Sequence, residues 1–237
     1  MKTRRFLGPI LSFSRSRILV PIWGTMTSPV APRYYDWKAT YPYLSVLRDN
    51  IADLKYEASK INGWVPWPEE HYMQDSETDW KVFPFLHTFP ATDETKMTWV
   101  KSTSEYCPKT TALLQKIPNI RTALYSKLGP NTKLSLHTGW ADLSNYVLRC
   151  HLCLSLPNDG ACGMIVEDEI MYHEKDNILI FDDSKRHRAF NESSTGERIV
   201  LIIDILRPSD IPLGKAVGGH TEELDRFVNS FTEALYK

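Results

Sequence analysis

Short β-rich runs separated by turn residues fill the second half of this chain and constrain its fold more than any other feature. From residue 122 onward the runs are Ala123–Leu128, Lys133–His137, Tyr146–Leu156, Gly163–Glu167, Asn177–Phe181, Arg188–Asn191 and Arg198–Leu206. Several short strands at this spacing are typical of a β-sandwich or β-barrel. The sequence therefore predicts a mainly β fold with flanking helices.

The flanking helices are indicated by apolar periodicity and by proline punctuation. Apolar residues recur at alternating steps of three and four over 43–61, which predicts an amphipathic helix. A short helix is expected over 109–116, between two prolines. The stretch 64–98 is rich in Trp and Pro and has weak periodicity, so we expect long loops and short strands that shape a substrate cleft.

A final helix is predicted over 222–236, with Thr221 as its N-cap. Its apolar face consists of Leu224, Phe227, Val228, Phe231 and Leu235. The helical spacing of these residues indicates that one side of the helix packs against the rest of the domain.

The charge distribution separates the first 33 residues from the rest. This segment contains six basic residues, and no acidic residue precedes Asp36. Such a start is typical of an organelle-targeting segment or of a disordered basic tail, so we assign 1–33 to it and 34–237 to the folded domain. The remainder is acidic overall, which argues against nucleic-acid binding. No apolar run reaches the roughly 18 residues of a membrane span, so we expect a soluble intracellular protein.

The four cysteines do not form a disulfide framework in a chain of this size. Reduced thiols are the expected state. Cys150 and Cys153 form a C-x-x-C pair, which could indicate a zinc or redox site. However, residues three apart on a strand point to opposite faces.

The run 147–156 has two different faces, because strand residues alternate between the two sides of a sheet. One face carries five apolar residues and is expected to be core, whereas the other carries Arg149 and His151. That polar face could meet solvent, or it could line a buried site. Arg198 opens a second strand of this type. A buried arginine needs an anion, and its guanidinium matches a carboxylate with two parallel hydrogen bonds.

His137 and His187 both lie at the ends of predicted strands, where two imidazoles could hold one metal ion. A non-haem iron site usually adds a carboxylate to two histidines. Here the carboxylate position of the His-x-Asp/Glu pattern is Gly139.

The segment from about Tyr106 to Pro208 resembles the aspartyl/asparaginyl β-hydroxylase family of Fe(II)/2-oxoglutarate dioxygenases. The matching stretches are Cys107-Pro108-Lys109-Thr110, His137-Thr138-Gly139, Leu148-Arg149-Cys150-His151-Leu152, Ile178-Leu179-Ile180-Phe181-Asp182-Asp183-Ser184 with His187, and Arg198 with Ile203-Asp204. The family also has glycine at the position of Gly139. The resemblance implies a double-stranded β-helix, a cupin-like jelly roll.

The resemblance also implies the roles of individual residues. His137 and His187 would bind Fe(II), and Arg198 would pair with the distal carboxylate of 2-oxoglutarate. Ser126, Arg149 and His151 would make further contacts to this cosubstrate. A tryptophan near the cosubstrate in some family members aligns loosely with Leu86. Asp142 and Asp183 could orient waters beside the metal, and a site with only two histidines should lose iron easily.

The activity implied is hydroxylation of an unactivated C–H bond, with 2-oxoglutarate converted to succinate and carbon dioxide. The family name favours the β-carbon of an aspartyl or asparaginyl residue in a peptide or protein. A lipid acyl chain or a free amino acid is the alternative substrate. Three other interpretations stay open at this point: a halogenase, a zinc hydrolase, and a noncatalytic cupin-like binding module.

Overall fold

Two β-sheets face each other in this structure, a computed structural model that describes residues 31–75 and 78–233. The larger sheet contains β1 (Tyr34–Tyr35), β2 (Val65–Pro66), β3 (Trp80–His87), β4 (Thr98–Trp99), β5 (Ile120–Leu128), β6 (Val147–Ser155), β9 (Ile178–Phe181) and β11 (Arg198–Leu206). Its order is β1-β9-β6-β11-β5-β3-β2, with β4 paired to β3. The smaller sheet has the order β10-β7-β8, formed by His187–Asn191, Cys162–Val166 and Glu169–Tyr172. The pairings are antiparallel, and together the sheets form the expected jelly roll.

Helices cover the outer face of the larger sheet and its ends. They are α1 (Trp37–Thr40), α2 (Ser45–Asp49), α3 (Ile51–Lys60), α4 (Lys101–Tyr106), α5 (Pro108–Leu114), α6 (Ala141–Ser144) and α7 (Glu222–Glu233). Single 3-10 turns occur at Pro42–Leu44, Glu70–Tyr72 and Glu94–Lys96. Among the described residues, no helix is long and apolar enough to cross a bilayer.

The main hydrophobic core lies between the larger sheet and these helices. Leu148, Cys150 and Leu152 of β6 pack there in one cluster with Leu54 of α3 and Leu114 of α5. Each buried leucine of this kind stabilises the fold by about 1.5–3 kcal/mol. The opposite face of β6 is turned toward the smaller sheet, so the predicted polar face is internal rather than solvated.

The single helix expected over 43–61 is broken at Asn50. The Asn50 side chain donates a hydrogen bond from Nδ2 to the carbonyl of Val46 at 2.8 Å, and its backbone leaves the helical region at φ −112°, ψ 22°. A side-chain amide that bonds a backbone carbonyl competes with the helix ladder. The predicted helix is thus divided into α2 and α3, and its first residues lie in the 3-10 turn Pro42–Leu44.

The expectation of only loops and short strands over 64–98 is wrong for β3, an eight-residue strand paired along its length with β5. Pro84 in the middle of β3 argued against a strand there, because proline cannot donate a hydrogen bond to a central ladder. The structure accommodates Pro84 at a register shift in the gap between the short partners β2 and β4.

The predicted strand Lys133–His137 is instead an irregular segment held by isolated bridges. Lys133 pairs with Phe190, Leu134 with Met73, and His137 with His187. Two of these three bridges join the segment to β10, and no continuous ladder forms.

All four cysteines are free and buried, in agreement with reduced thiols. Cys150 belongs to the main core, whereas Cys153 packs with Val200 and Ile202 on the other side of the sheet. The C-x-x-C pair is thus split between two faces.

The N-terminal and C-terminal predictions are tested only in part. Residues 1–30 lie outside the described part of the chain, so the targeting or tail interpretation of 1–33 stays a prediction, as does the placement of the chain inside a cell or organelle. Leu235 also lies outside it. Thr221 is the N-cap of α7, because its Oγ1 accepts from the backbone N–H of Leu224 at 3.2 Å.

Candidate active site

A narrow cavity between the two sheets is lined by all six residues that the family resemblance assigns to iron or 2-oxoglutarate binding. They are Ser126 on β5, His137 on the irregular segment, Arg149 and His151 on β6, His187 on β10 and Arg198 on β11. Residues far apart in sequence meet here because β6, β11 and β5 are adjacent in the larger sheet, whereas β10 faces them from the smaller one.

His137 and His187 form a neighbouring pair with their ring centroids 4.4 Å apart. Their backbones exchange two hydrogen bonds of 3.0 and 2.7 Å, which fixes the spacing of the two side chains. Burial lowers the pKa of both imidazoles, to about 4 for His187, so both rings are neutral at pH 7.

Each ring of this pair is oriented by a backbone carbonyl. Nδ1 of His137 lies 2.7 Å from the carbonyl of Ser135, and Nδ1 of His187 lies 2.8 Å from that of Lys185. A carbonyl can only accept, so the proton sits on Nδ1 and the lone pair on Nε2. This outer support is the usual arrangement for histidines that ligate a metal, and the pair fits an iron ion bound through two Nε2 atoms.

The missing carboxylate beside this pair has a steric explanation. A Cβ added at Gly139 would overlap Oδ2 of Asp183 and come within 2.8 Å of the Ser144 Cβ. The buried Asp183 carboxylate thus fills the space that an acidic side chain at position 139 would occupy. Its Oδ1 lies 3.3 Å from Nε2 of His187, and burial raises its pKa to about 7.

The Oδ1 atom of Asp183 contacts Arg149 as well as His187. Arg149 Nη1 lies 2.7 Å from Oδ1 of Asp183, and its Nε donates to Asp204 at 2.8 Å. Two carboxylates therefore neutralise Arg149. Across residues 31–75 and 78–233, no three His, Cys, Asp or Glu side chains are arranged to hold a metal ion together.

Arg198 is the unpaired charge of the cavity. Its side chain is 1% exposed, and neither Nε nor Nη1 has a hydrogen-bond partner. Burial lowers the pKa of this guanidinium to about 10. An unpaired buried cation is costly unless an anion joins it. The cavity therefore fits a ligand with a carboxylate at the Arg198 end and metal-binding groups at the histidine end.

Sequence reasoning missed two residues near this cavity. Trp80 lines it and donates from Nε1 to the Ser126 hydroxyl at 3.0 Å, whereas Leu86 lies in the neighbouring cleft. Leu86 thus lies outside this cavity, and Trp80 is the tryptophan that lines it. His173 is buried behind His151, and its position after an exposed strand gave no periodic signal.

An apolar cleft opens from the histidine end of the cavity. Both spaces share His137 and Arg149, and the cleft is also lined by Gly139. Trp67 stacks between Trp80 and Trp140, with centroid separations of 4.5 and 5.9 Å. The outer wall comes from α7 through Leu224, Phe227, Val228 and Phe231.

A jelly roll that holds two paired histidines with unprotonated Nε2 atoms, beside a buried unpaired arginine, has the architecture of an iron- and 2-oxoglutarate-type oxygenase domain. Comparison with known families makes this specific. The family model described as aspartyl/asparaginyl β-hydroxylase matches residues 46–208. The chain therefore belongs to the aspartyl/asparaginyl β-hydroxylase family, and the resemblance seen in its motifs is confirmed.

Individual relatives cover the chain to different extents. It is 30% identical over 191 residues to an ornithine lipid ester-linked acyl 2-hydroxylase of Rhizobium tropici, a match that spans 76% of this chain and 63% of the relative. It is 34% identical over 110 residues to the human aspartyl/asparaginyl β-hydroxylase, covering 44% of this chain and 14% of that protein. The chain thus spans less than two thirds of the length of these relatives.

The fold is also found among solved structures. A 2OG-Fe(II) oxygenase-family oxidoreductase from Burkholderia pseudomallei superimposes with a TM-score of 0.51 at 12% identity, over 70% of this chain and 90% of that one. At this identity the likeness concerns the fold, which it confirms as the oxygenase jelly roll.

Proposed function

We propose that this protein is an Fe(II)/2-oxoglutarate-dependent hydroxylase that acts on a lipid acyl chain. The observation that carries the proposal is the aromatic cleft that ends at His137 and Gly139. An extended hydrocarbon gains about 0.8 kcal/mol for each methylene that such a cleft buries.

The chain supplies the ligands and the orientation. His137 and His187 would hold iron through Nε2, and Arg198 would bind the far carboxylate of 2-oxoglutarate. Asp183, fixed by Arg149, would accept hydrogen bonds from water at the iron. The bound iron and 2-oxoglutarate would supply the activation of dioxygen and the two electrons that hydroxylation of a C–H bond requires.

The charge of the cleft favours an acyl chain over an aspartyl side chain. Among the described residues, Arg149 is the only Lys or Arg that lines the cleft, and two carboxylates already neutralise it. Burial lowers the pKa of His87 and His137, so neither is cationic at pH 7. No free cation there would pair with a substrate carboxylate. The family name supports the aspartyl or asparaginyl β-carbon, which stays a prediction.

The relative from Rhizobium tropici supports the same choice, since its name specifies the 2-position of an ester-linked acyl chain. On this basis we propose that the hydroxylated carbon is the one next to the acyl carbonyl.

The test is succinate formation from anaerobically loaded protein on addition of oxygen. An ester-linked acyl lipid should stimulate succinate release, whereas an aspartyl peptide should not. The His187→Ala variant should lose at least about 100-fold of this activity. Stimulation by the peptide alone would reject the acyl proposal. Wild-type release no higher than that of His187→Ala with every substrate would favour the binding module, and a chloride-dependent product would indicate halogenation.

A further inference from the structure

Two buried histidines, His151 and His173, face each other beside Arg198. Nδ1 of His151 lies 3.2 Å from Nε2 of His173, and the two rings are nearly parallel at 18°. Arg198 lines the same cavity as His151, and its positive charge contributes to the lowered pKa of both imidazoles. His151 lines the cavity, whereas His173 is absent from its lining and borders an outer groove.

Packing alone does not account for the burial of His173. The four residues of β8 that precede it are all exposed, whereas His173 is 6% exposed. Its backbone N–H bonds the carbonyl of Cys162 at 2.8 Å, which turns the side chain inward at the end of the hairpin. A polar ring buried in this way costs free energy unless it is hydrogen-bonded, and the partner of His173 Nε2 is His151.

The outer nitrogens of the pair lack partners. His151 Nε2 and His173 Nδ1 are buried without a hydrogen bond, like Nε and Nη1 of Arg198. Three of the four unpartnered atoms therefore belong to the two side chains that line the cavity.

The shared hydrogen bond links the tautomers of the two rings. If His173 donates from Nε2, His151 accepts at Nδ1 and must carry its own proton on Nε2. If His151 donates instead, its Nε2 is a bare acceptor. A carboxylate only accepts hydrogen bonds, so only the first arrangement gives it a second donor beside Arg198.

We propose that His173 is a positioning residue that holds His151 as its Nε2–H tautomer, so that His151 and Arg198 together bind the distal carboxylate of an oxo-dicarboxylate cosubstrate. This inference rests on the proposed function, because it assigns a role within the same cosubstrate cavity. His173 acts through His151 and does not touch the cosubstrate itself.

The affinity of the Zn(II)-loaded protein for two ligands, measured by calorimetry, tests the proposal without turnover. The ligands are 2-oxoglutarate and 2-oxopentanoate, which has the same 2-oxo acid end and no distal carboxylate. The His173→Phe variant keeps a ring and removes the donor, whereas His173→Gln restores a donor near the position of Nε2. We expect His173→Phe to weaken 2-oxoglutarate binding by about five- to tenfold, to leave 2-oxopentanoate within about twofold, and His173→Gln to recover most of the loss.

The outcomes separate the inference from the function on which it rests. Wild-type protein that does not prefer 2-oxoglutarate over 2-oxopentanoate would reject the proposed cosubstrate. A wild-type preference that survives His173→Phe would reject the role of His173 alone. Equal weakening of both ligands would show general damage to the cavity and would also reject it.

A measurement on the unmutated protein covers the case in which His173→Phe does not fold. Nitrogen-15 imidazole spectra of the Zn(II)- and 2-oxoglutarate-bound protein should show both His151 and His173 protonated on Nε2. A His151 ring protonated on Nδ1 would contradict the proposal.

Discussion

At the scale of single residues, the pair Gly139 and Asp183 explains how the site can lack a carboxylate at the expected position and still contain one. Asp183 comes from the turn before His187, and its carboxylate lies where a side chain at 139 would extend. The absence of a side chain at position 139 and the position of the Asp183 carboxylate therefore depend on each other. Neither can be changed alone without cost.

A carboxylate restored at position 139 should harm this site. Gly139→Asp would force its Cβ against Asp183, so we expect at least about tenfold weaker metal binding and a loss of stability of 1–3 kcal/mol. Calorimetric titration with Fe(II) or Zn(II) and urea unfolding would measure both. Gly218→Ala is the matched control, because its Cβ would meet only the Gly139 carbonyl, at 3.9 Å, and the Thr138 hydroxyl, at 4.0 Å. Tighter metal binding by Gly139→Asp would contradict the steric account.

The buried, unpaired Arg198 should lower the free energy of unfolding of the ligand-free protein. Replacement by methionine removes an unpaired buried charge, so Arg198→Met should raise the free energy of unfolding by about 1 kcal/mol or more. In a domain of this size that corresponds to a rise in melting temperature of about 2–4 °C. The same variant should lose its preference for 2-oxoglutarate over 2-oxopentanoate. A variant that is destabilised and keeps this preference would show that Arg198 is paired in another way.

At the scale of secondary-structure elements, α7 connects the fold to substrate choice. Leu224 anchors the helix in a cluster with Trp140 and Leu143, and the residues one to two turns further on line the cleft. Glu69 joins the start of α7 to Trp140, since it accepts hydrogen bonds from Trp140 Nε1 at 3.3 Å and from the Thr221 hydroxyl at 2.9 Å. The helix is thus held at its first turn.

A polar substitution on the inner face of α7 should affect the acyl substrate alone. We expect Phe227→Ser to raise the KM for the acyl lipid by about tenfold, because it removes an aromatic ring from the cleft, and to leave the KM for 2-oxoglutarate unchanged. Asn229→Ser, on the exposed side of the same helix, should behave like wild type. Steady-state kinetics with each substrate varied in turn would decide. A rise in both KM values for Phe227→Ser would place the ring in the cosubstrate cavity instead.

The elements also show what the sequence could and could not predict. Strands such as β6 and β11 have strong alternation or apolar runs, and their ends were predicted to within one residue. The strand β3 was missed because Pro84 breaks the pattern, and the helix break was missed because it depends on one side-chain bond of Asn50. The bridged segment before His137 has no local signal, since its shape comes from isolated bridges to β10 and to Met73.

The residues of the candidate site also divide into those that the sequence predicts and those that it does not. His137, His187, Arg149, His151, Ser126 and Arg198 could be selected from strand ends, polar strand faces and family motifs. Trp80 and His173 could not, because their positions depend on how distant strands pair. The overlap between a Gly139 side chain and Asp183 is likewise a tertiary property, although both residues belong to quoted motifs.

At the scale of the whole molecule, the site makes stability depend on pH. Burial lowers the pKa of His137, His151, His173 and His187, so folding favours their neutral forms. Their contribution is complete above pH 6.5 and is lost as the pH falls toward the folded values, about 4 for His187. Asp183 acts in the opposite direction, since its raised pKa of about 7 lets the folded protein bind a proton first.

We therefore expect these buried histidines to lower the free energy of unfolding of the metal-free protein as the pH falls from 7 to 5.5. The four histidines of the site act in this direction, and the raised pKa of Asp183 opposes them. Urea unfolding at the two pH values measures this change in the free energy of unfolding. His173→Phe should make the change smaller, because it removes one buried neutral imidazole. A free energy that does not change over this interval would show that these rings are not buried as neutral groups.

The most direct test of the central claim is the fate of oxygen-18 gas in the reaction with an ester-linked acyl lipid, followed by mass spectrometry. A 2-oxoglutarate-dependent hydroxylase should place one labelled atom in succinate and one in the hydroxyl group next to the acyl carbonyl. The label in both products, dependent on 2-oxoglutarate, is the predicted result. An acyl product without label, or labelled succinate with an unmodified lipid, would contradict the claim.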